Sequence, residues 1–232
     1  MHGGGTRKQR HATFQAPQAG SISGLSWALL ACGKSELRDA LGDRGPGVAM
    51  SPDNHWSPHS SASILLLVAG LEAWLNESTL LLAPYSPGLR KLANKHVAQK
   101  YQEIPMAVTG RSAAVSQEVL LVLKVRDEIA HFLPMTIEGI VPAWLGDLQA
   151  RGLFITSPRP DVDYDFATKL GSYALAYWAW ETVSQAVADF LEALGPLDLQ
   201  AKALRLSAEN FEGYRSLCGP NRLAEFDATQ AT

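Results

Sequence analysis

Residues 60–82 read SSASILLLVAGLEAWLNESTLLL and carry the clearest helical pattern in the chain. Apolar residues recur there three, four and seven positions apart, which is the spacing of one helix face. This face consists of Leu65, Val68, Leu71, Leu75 and Leu82. Ser60 is a suitable N-cap, and Pro84 lies just beyond the last apolar residue. The stretch therefore predicts a long buried helix, with Glu72 among the apolar residues and Asn76 one turn later.

Helical patterns also fill most of the chain on both sides of this stretch. The predicted segments are 25–41, 87–103, 113–131, 140–152 and about 166–194, with a small terminal helix within 197–217. No window alternates polar and apolar residues between turn signals, as a half-buried strand would. The sequence therefore predicts an all-α protein, a bundle of four to five main helices with short additional helices at the ends.

The N-terminal region differs from the centre of the chain in composition. Residues 1–24 are rich in Gly, Gln, His and Ser, and residues 42–59 are rich in Gly, Pro, Asp and Asn. We expect residues 1–58 to form a flexible N-terminal tail with a short helix, residues 59–196 the helical domain, and residues 197–232 a C-terminal extension. His55 and His59 are expected to be solvated, because Pro58 between them disfavours one helix presenting both to a metal.

Composition and charge indicate a soluble protein. The net charge is -3, so nothing global indicates nucleic-acid binding, and DNA is not expected as a partner. Cys32 and Cys218 stand far apart and suit a reducing cytoplasm rather than a disulfide framework. Residues 64–83 are long enough to span a bilayer, but Glu72 and Glu77 would be costly there. We therefore predict a cytoplasmic protein without a membrane partner, and no metal or cofactor.

A basic band lies in the predicted helix 87–103. It contains Arg90, Lys91, Lys95 and Lys100. Against these residues the segment has one acid, Glu103. Such a band is either a solvated helix face or a surface that contacts the phosphates of RNA.

A cluster of charged residues ends the predicted helix 113–131. Arg126, Asp127, Glu128 and His131 follow the apolar run at 119–123. Arg126 continues the apolar stripe of Val119 and Val122, whereas Asp127 and His131 stand four apart on a more polar face.

The Arg126–His131 arrangement resembles the Arg-x4-His signature of the HEPN superfamily (higher eukaryotes and prokaryotes nucleotide-binding), in which a polar residue often follows the Arg. Asp127 fills that position, where Asn is commoner. Residues 69–77, AGLEAWLNE, resemble the first long helix of uncharacterised bacterial members. Residues 100–105, 148–154 and 177–181 resemble later parts, so the resemblance covers roughly residues 60–195.

The resemblance implies a compact helical bundle that acts as a metal-independent endoribonuclease in a toxin, phage-defence or stress system. His131 would assist proton transfer at the ribose 2′-hydroxyl, Arg126 would stabilise the phosphate as the cyclic phosphate forms, and Asp127 would orient the imidazole. A homodimer and an antitoxin or other regulatory protein are the partners it implies. One subgroup of toxins has a Tyr two residues after the His, and Leu133 here departs from that pattern.

Three alternatives remain open. Arg126 could pair with Glu72, since each is a lone charge on an apolar stripe, and His131 could cap the helix C-terminus. Such a pair would be structural, although an acid can also hold a catalytic arginine in place, with Asn76 as a further supporting residue. A HEPN-like module could also bind RNA, a nucleotide or a protein without catalysis. A helical protein with no ligand is the weakest alternative.

Overall fold

The computed structural model describes residues 25–43, 54–131, 143–157 and 163–204. Within these ranges 76% of the residues are helical and no strand is present, which confirms the all-α prediction. The helices are α1 (Leu25–Gly42), α2 (Pro58–Leu81), a 3₁₀ helix (Pro87–Leu92), α3 (Val97–Thr109), α4 (Gln117–His131), α5 (Ala143–Ala150), α6 (Phe166–Leu170), α7 (Tyr173–Leu194) and α8 (Leu197–Ala203).

α2 is the central helix and begins two residues earlier than predicted. The Ser57 hydroxyl accepts a hydrogen bond from the His59 amide at 3.1 Å, and Pro58 fits the first turn because its missing N–H needs no partner there. Ile64, Leu71 and Leu75 of α2 are fully buried. Of the described helices, only α2 is long and apolar enough to cross a membrane, and 56% of that window is buried inside the bundle. The core helix of a soluble protein has the same properties.

α1 packs directly on α2, so the short helix predicted in the N-terminal region belongs to the bundle. A Cβ at Gly33 would lie 2.8 Å from Leu67 Cγ, and a Cβ at Gly70 would lie 2.8 Å from Leu30 Cγ. The Ser63 hydroxyl also donates to the Gly33 carbonyl at 2.8 Å. The two glycines therefore let the helix backbones approach closely.

The basic segment differs from the single helix predicted over 87–103. Pro87 begins a 3₁₀ helix that ends at Leu92, and a turn separates it from α3. His96, in an extended conformation, precedes the first residue of α3. This break changes the helical phase, so the residues before and after it do not share one face. α3 then continues past Glu103 to Thr109, with Pro105 inside it.

α7 and α8 close the core over α2. Trp74 of α2 stacks edge-on against Phe190 of α7, with ring centroids 4.9 Å apart. The Trp74 indole N–H donates to the Ala203 carbonyl at 3.1 Å. α8, which follows the domain boundary predicted at residue 196, thus shares a core with α2. The predicted tail at 1–24 and the residues beyond 204 lie outside the described residues.

Candidate functional site: a charged cluster on α2, α3 and α4

α4 carries the predicted catalytic residues at its C-terminal end. Val119 and Val122 are buried, while Arg126 lies at the edge of the core with 24% of its side chain exposed. Asp127 and His131 are exposed in the last turns of the helix. The site is therefore a surface site, with one half-buried cation and two groups that solvent reaches.

Arg126 forms a bidentate ion pair with Glu72 of α2. The guanidinium Nη1 donates to Oε2 at 3.4 Å, and Nη2 donates to Oε1 at 2.5 Å. Nε lies 3.0 Å from Asp127 Oδ1 but makes no hydrogen bond. The pairing inferred from two lone charges on apolar stripes is present. It fixes the guanidinium plane, because a planar fork bound at both prongs loses its freedom to rotate.

Lys100 of α3 extends this cluster and is not part of an exposed band, so that part of the basic-surface prediction is wrong. The residue is only 6% exposed, and its ammonium donates to Asn76 Oδ1 at 2.5 Å. Burial lowers the pKa of Lys100, while the charge of Glu72 opposes that change. Lys100 points inward because α3 begins a new helical phase at Val97. Glu72 and Asn76, one turn apart on α2, thus support two cations.

Glu128 belongs to the charged cluster named from the sequence, but its burial was not predicted. It is 6% exposed, and its Oε2 atom is buried without a hydrogen bond. Burial raises the pKa of the Glu128 carboxyl, Asp127 raises it further, and His131 opposes both. The spacing of the sequence could have predicted this burial, since Leu121, Val125 and Glu128 follow the four-three spacing of a buried stripe.

The remaining predicted RNA-binding residues stay on the surface. Arg90 and Lys91 are exposed on the 3₁₀ helix, and Lys95 is exposed in the turn that follows. The 3₁₀ helix packs against α2 and α3, the helices that carry Glu72 and Lys100. Leu133, which departs from the tyrosine of the toxin subgroup, lies outside the described residues.

The described cluster combines fixed and accessible groups. Arg126 and Lys100 are held by Glu72 and Asn76, whereas Asp127 and His131 face solvent. This arrangement provides a positioned cation and, five residues further along the same helix, an exposed imidazole. No protein-family model, curated protein or solved structure matches the chain.

Proposed function

We propose that this protein is a metal-independent endoribonuclease of the HEPN type. The observation that carries the proposal is the bidentate Glu72–Arg126 pair at the edge of the core, with exposed His131 five residues further along α4. A guanidinium held at both prongs is already oriented when a phosphate arrives. An exposed histidine can exchange protons with substrate and solvent.

In this proposal the ribose 2′-oxygen attacks the adjacent phosphorus, and the bond from phosphorus to the 5′-oxygen breaks. His131 accepts the proton of the 2′-hydroxyl, and Asp127, one turn earlier, orients the imidazole. Arg126 stabilises the negative charge on the phosphate oxygens through its remaining N–H groups. The leaving 5′-oxygen takes its proton from solvent or from His131 of a second subunit, which leaves a 2′,3′-cyclic phosphate.

The proposed setting follows from the same resemblance. We expect a cytoplasmic homodimer in which two copies of the α4 cluster face one cleft, and control by an antitoxin or another regulatory protein. Arg90, Lys91 and Lys95 would bind the RNA backbone outside the reacting phosphate. Lys100 is excluded from that role because its ammonium is buried against Asn76.

A second candidate function is a non-catalytic HEPN-like module that binds RNA, a nucleotide or a protein. The observation that favours it is charge compensation within the cluster. Glu72 and Asp127 both lie against Arg126, and Glu72 also faces Lys100. Two anions beside the Arg126 guanidinium weaken its attraction for phosphate, which would suit binding through other surfaces.

The decisive experiment compares wild type with His131→Ala on mixed single-stranded RNA in the presence of a chelator. We expect wild type to produce fragments ending in 2′,3′-cyclic phosphate, and His131→Ala to lose at least about 100-fold in rate, as removal of an acid–base group does. His96→Ala is the matched control, since it removes another exposed histidine at a helix end. Equal cleavage by wild type and His131→Ala would refute the catalytic proposal.

The second candidate requires a binding measurement on the same RNA. Intact RNA combined with salt-dependent binding, weakened by Lys91→Gln and Lys95→Gln, would select the RNA-binding module over the nuclease. Intact RNA and no binding at any salt concentration would refute both RNA-directed functions.

A further inference from the structure

A second group of ionisable residues lies where the C-terminal part of α1 meets the start of α2. Glu36 and Asp39 stand three apart on α1, and His59 is the second residue of α2. One ligand atom from each of the three lies within 4.8 Å of those of the other two. This grouping was not predicted from the sequence, where His59 was expected to be solvated, because a linker separates His59 from Glu36 and Asp39.

The histidine already pairs with one of these carboxylates. His59 Nδ1 lies 2.8 Å from Glu36 Oε2, and the two side chains are 41% and 31% exposed. The carboxylate of Asp39 completes the group on the same side of the imidazole, since its ligand atom lies within 4.8 Å of those of His59 and Glu36. Two carboxylates thus face one imidazole, and a cation is favoured between them.

The backbone on both sides of the group is fixed, which keeps the three side chains near one another before any ion arrives. Ser57 caps α2 at the His59 amide, and its hydroxyl donates to Asp43 Oδ2 at 2.6 Å. The close contact of Gly33 with Leu67 sets the distance between the two helices one turn away. Pre-positioned ligands lower the entropic cost of binding an ion.

We propose that Glu36, Asp39 and His59 bind a divalent transition-metal ion of the zinc class, with water completing the coordination shell. One imidazole and two carboxylates form a donor set that suits zinc, and the nitrogen ligand disfavours magnesium and calcium, which prefer oxygen. Metal–ligand bonds of about 2.1 Å in tetrahedral geometry place neighbouring ligand atoms about 3.4 Å apart, so small side-chain rotations suffice.

The ion would bind between the side chains of His59 and Glu36 and would link α1 to α2. The site is separate from the proposed ribonuclease residues, since it uses none of the side chains of the α4 cluster. Its role is therefore to hold the N-terminal helix on the bundle when zinc is present. Ribonuclease activity in a chelator remains compatible with this role.

The test uses the full-length chain after removal of metal by a chelator, with zinc binding measured by calorimetry and by thermal melting. We expect zinc to raise the melting temperature of wild type and an equal concentration of magnesium to leave it unchanged. His59→Ala should lower zinc affinity by at least about tenfold, because removing even an indirect partner of a metal ligand costs 10–100-fold.

Asp39→Asn separates metal binding from the ion pair. This variant keeps the His59–Glu36 hydrogen bond, so its melting temperature without zinc should equal that of wild type while its zinc affinity falls. Cys32→Ser and His96→Ala remove other side chains with affinity for zinc and should bind as wild type does. The proposal is overturned if wild type binds no zinc, if Asp39→Asn and His59→Ala bind it as wild type does, or if magnesium produces the same shift.

Discussion

Replacing Glu72 by Gln should destabilise the protein more than replacing Arg126 by Met, because Glu72 serves two cations. Loss of Arg126 leaves Glu72 with the charge of Lys100 nearby, whereas loss of Glu72 removes the carboxylate that both the half-buried Arg126 and the buried Lys100 face. Exposed pairs contribute about 0.2–1 kcal/mol, and breaking a fully buried pair costs about 3–5 kcal/mol. Because the two side chains are 24% and 30% exposed, an intermediate cost applies.

We expect Glu72→Gln to lower the free energy of unfolding by about 2 kcal/mol and Arg126→Met to lower it by about 1 kcal/mol. Urea denaturation of both single variants and the double variant measures these values, and the double-mutant cycle should give a coupling of about 1 kcal/mol. The slope of the urea transition should stay constant. The reasoning is refuted if Arg126→Met costs as much as Glu72→Gln, or if the coupling is zero.

Three further perturbations follow from buried groups. Glu128→Gln should stabilise the protein above pH 4.5, the ordinary pKa of the residue, because a carboxyl whose pKa is raised in the folded state lowers the free energy of unfolding once the unfolded carboxyl ionises. This gain should be lost below pH 4.5, and urea midpoints measured above and below that pH test it. Lys100→Met should leave RNA affinity and its salt dependence unchanged in anisotropy titrations, whereas Lys95→Met, on the exposed surface, should lower both. Gly33→Ala should lower the melting temperature, because the added Cβ would lie 3.0 Å from the Leu67 amide nitrogen. Gly146→Ala is the control and should raise the melting temperature, because its Cβ would meet nothing within 4 Å and alanine favours the helix.

The sequence predicted those features that depend on local periodicity. The apolar spacing of residues 60–82 located α2, and the lone charges at Glu72 and Arg126 indicated their pairing. The inward direction of Lys100 was not predictable in this way, because it depends on the break between the 3₁₀ helix and α3. Periodicity carries no information across such a break, since the helical phase starts again.

Contacts between distant segments were the other part that escaped prediction. His59 meets Glu36 across 23 residues, and Trp74 meets Ala203 across 129 residues. Nothing in the composition of either segment specifies the partner, because any carboxylate or carbonyl could satisfy the donor. Such pairings follow from how the helices pack, and a single sequence does not give the packing.

The contacts between α1 and α2 also lead us to expect an order of assembly. Ser63 and Gly33 are 30 residues apart, whereas Trp74 and Ala203 are 129 apart. Closing the longer loop costs about 1.3 kcal/mol more in chain entropy, so the α1–α2 pair should form before α8 joins it. Substitutions between α1 and α2 should then slow folding, while those around Ala203 should accelerate unfolding. The two N-terminal helices would form the nucleus on which the C-terminal helices condense.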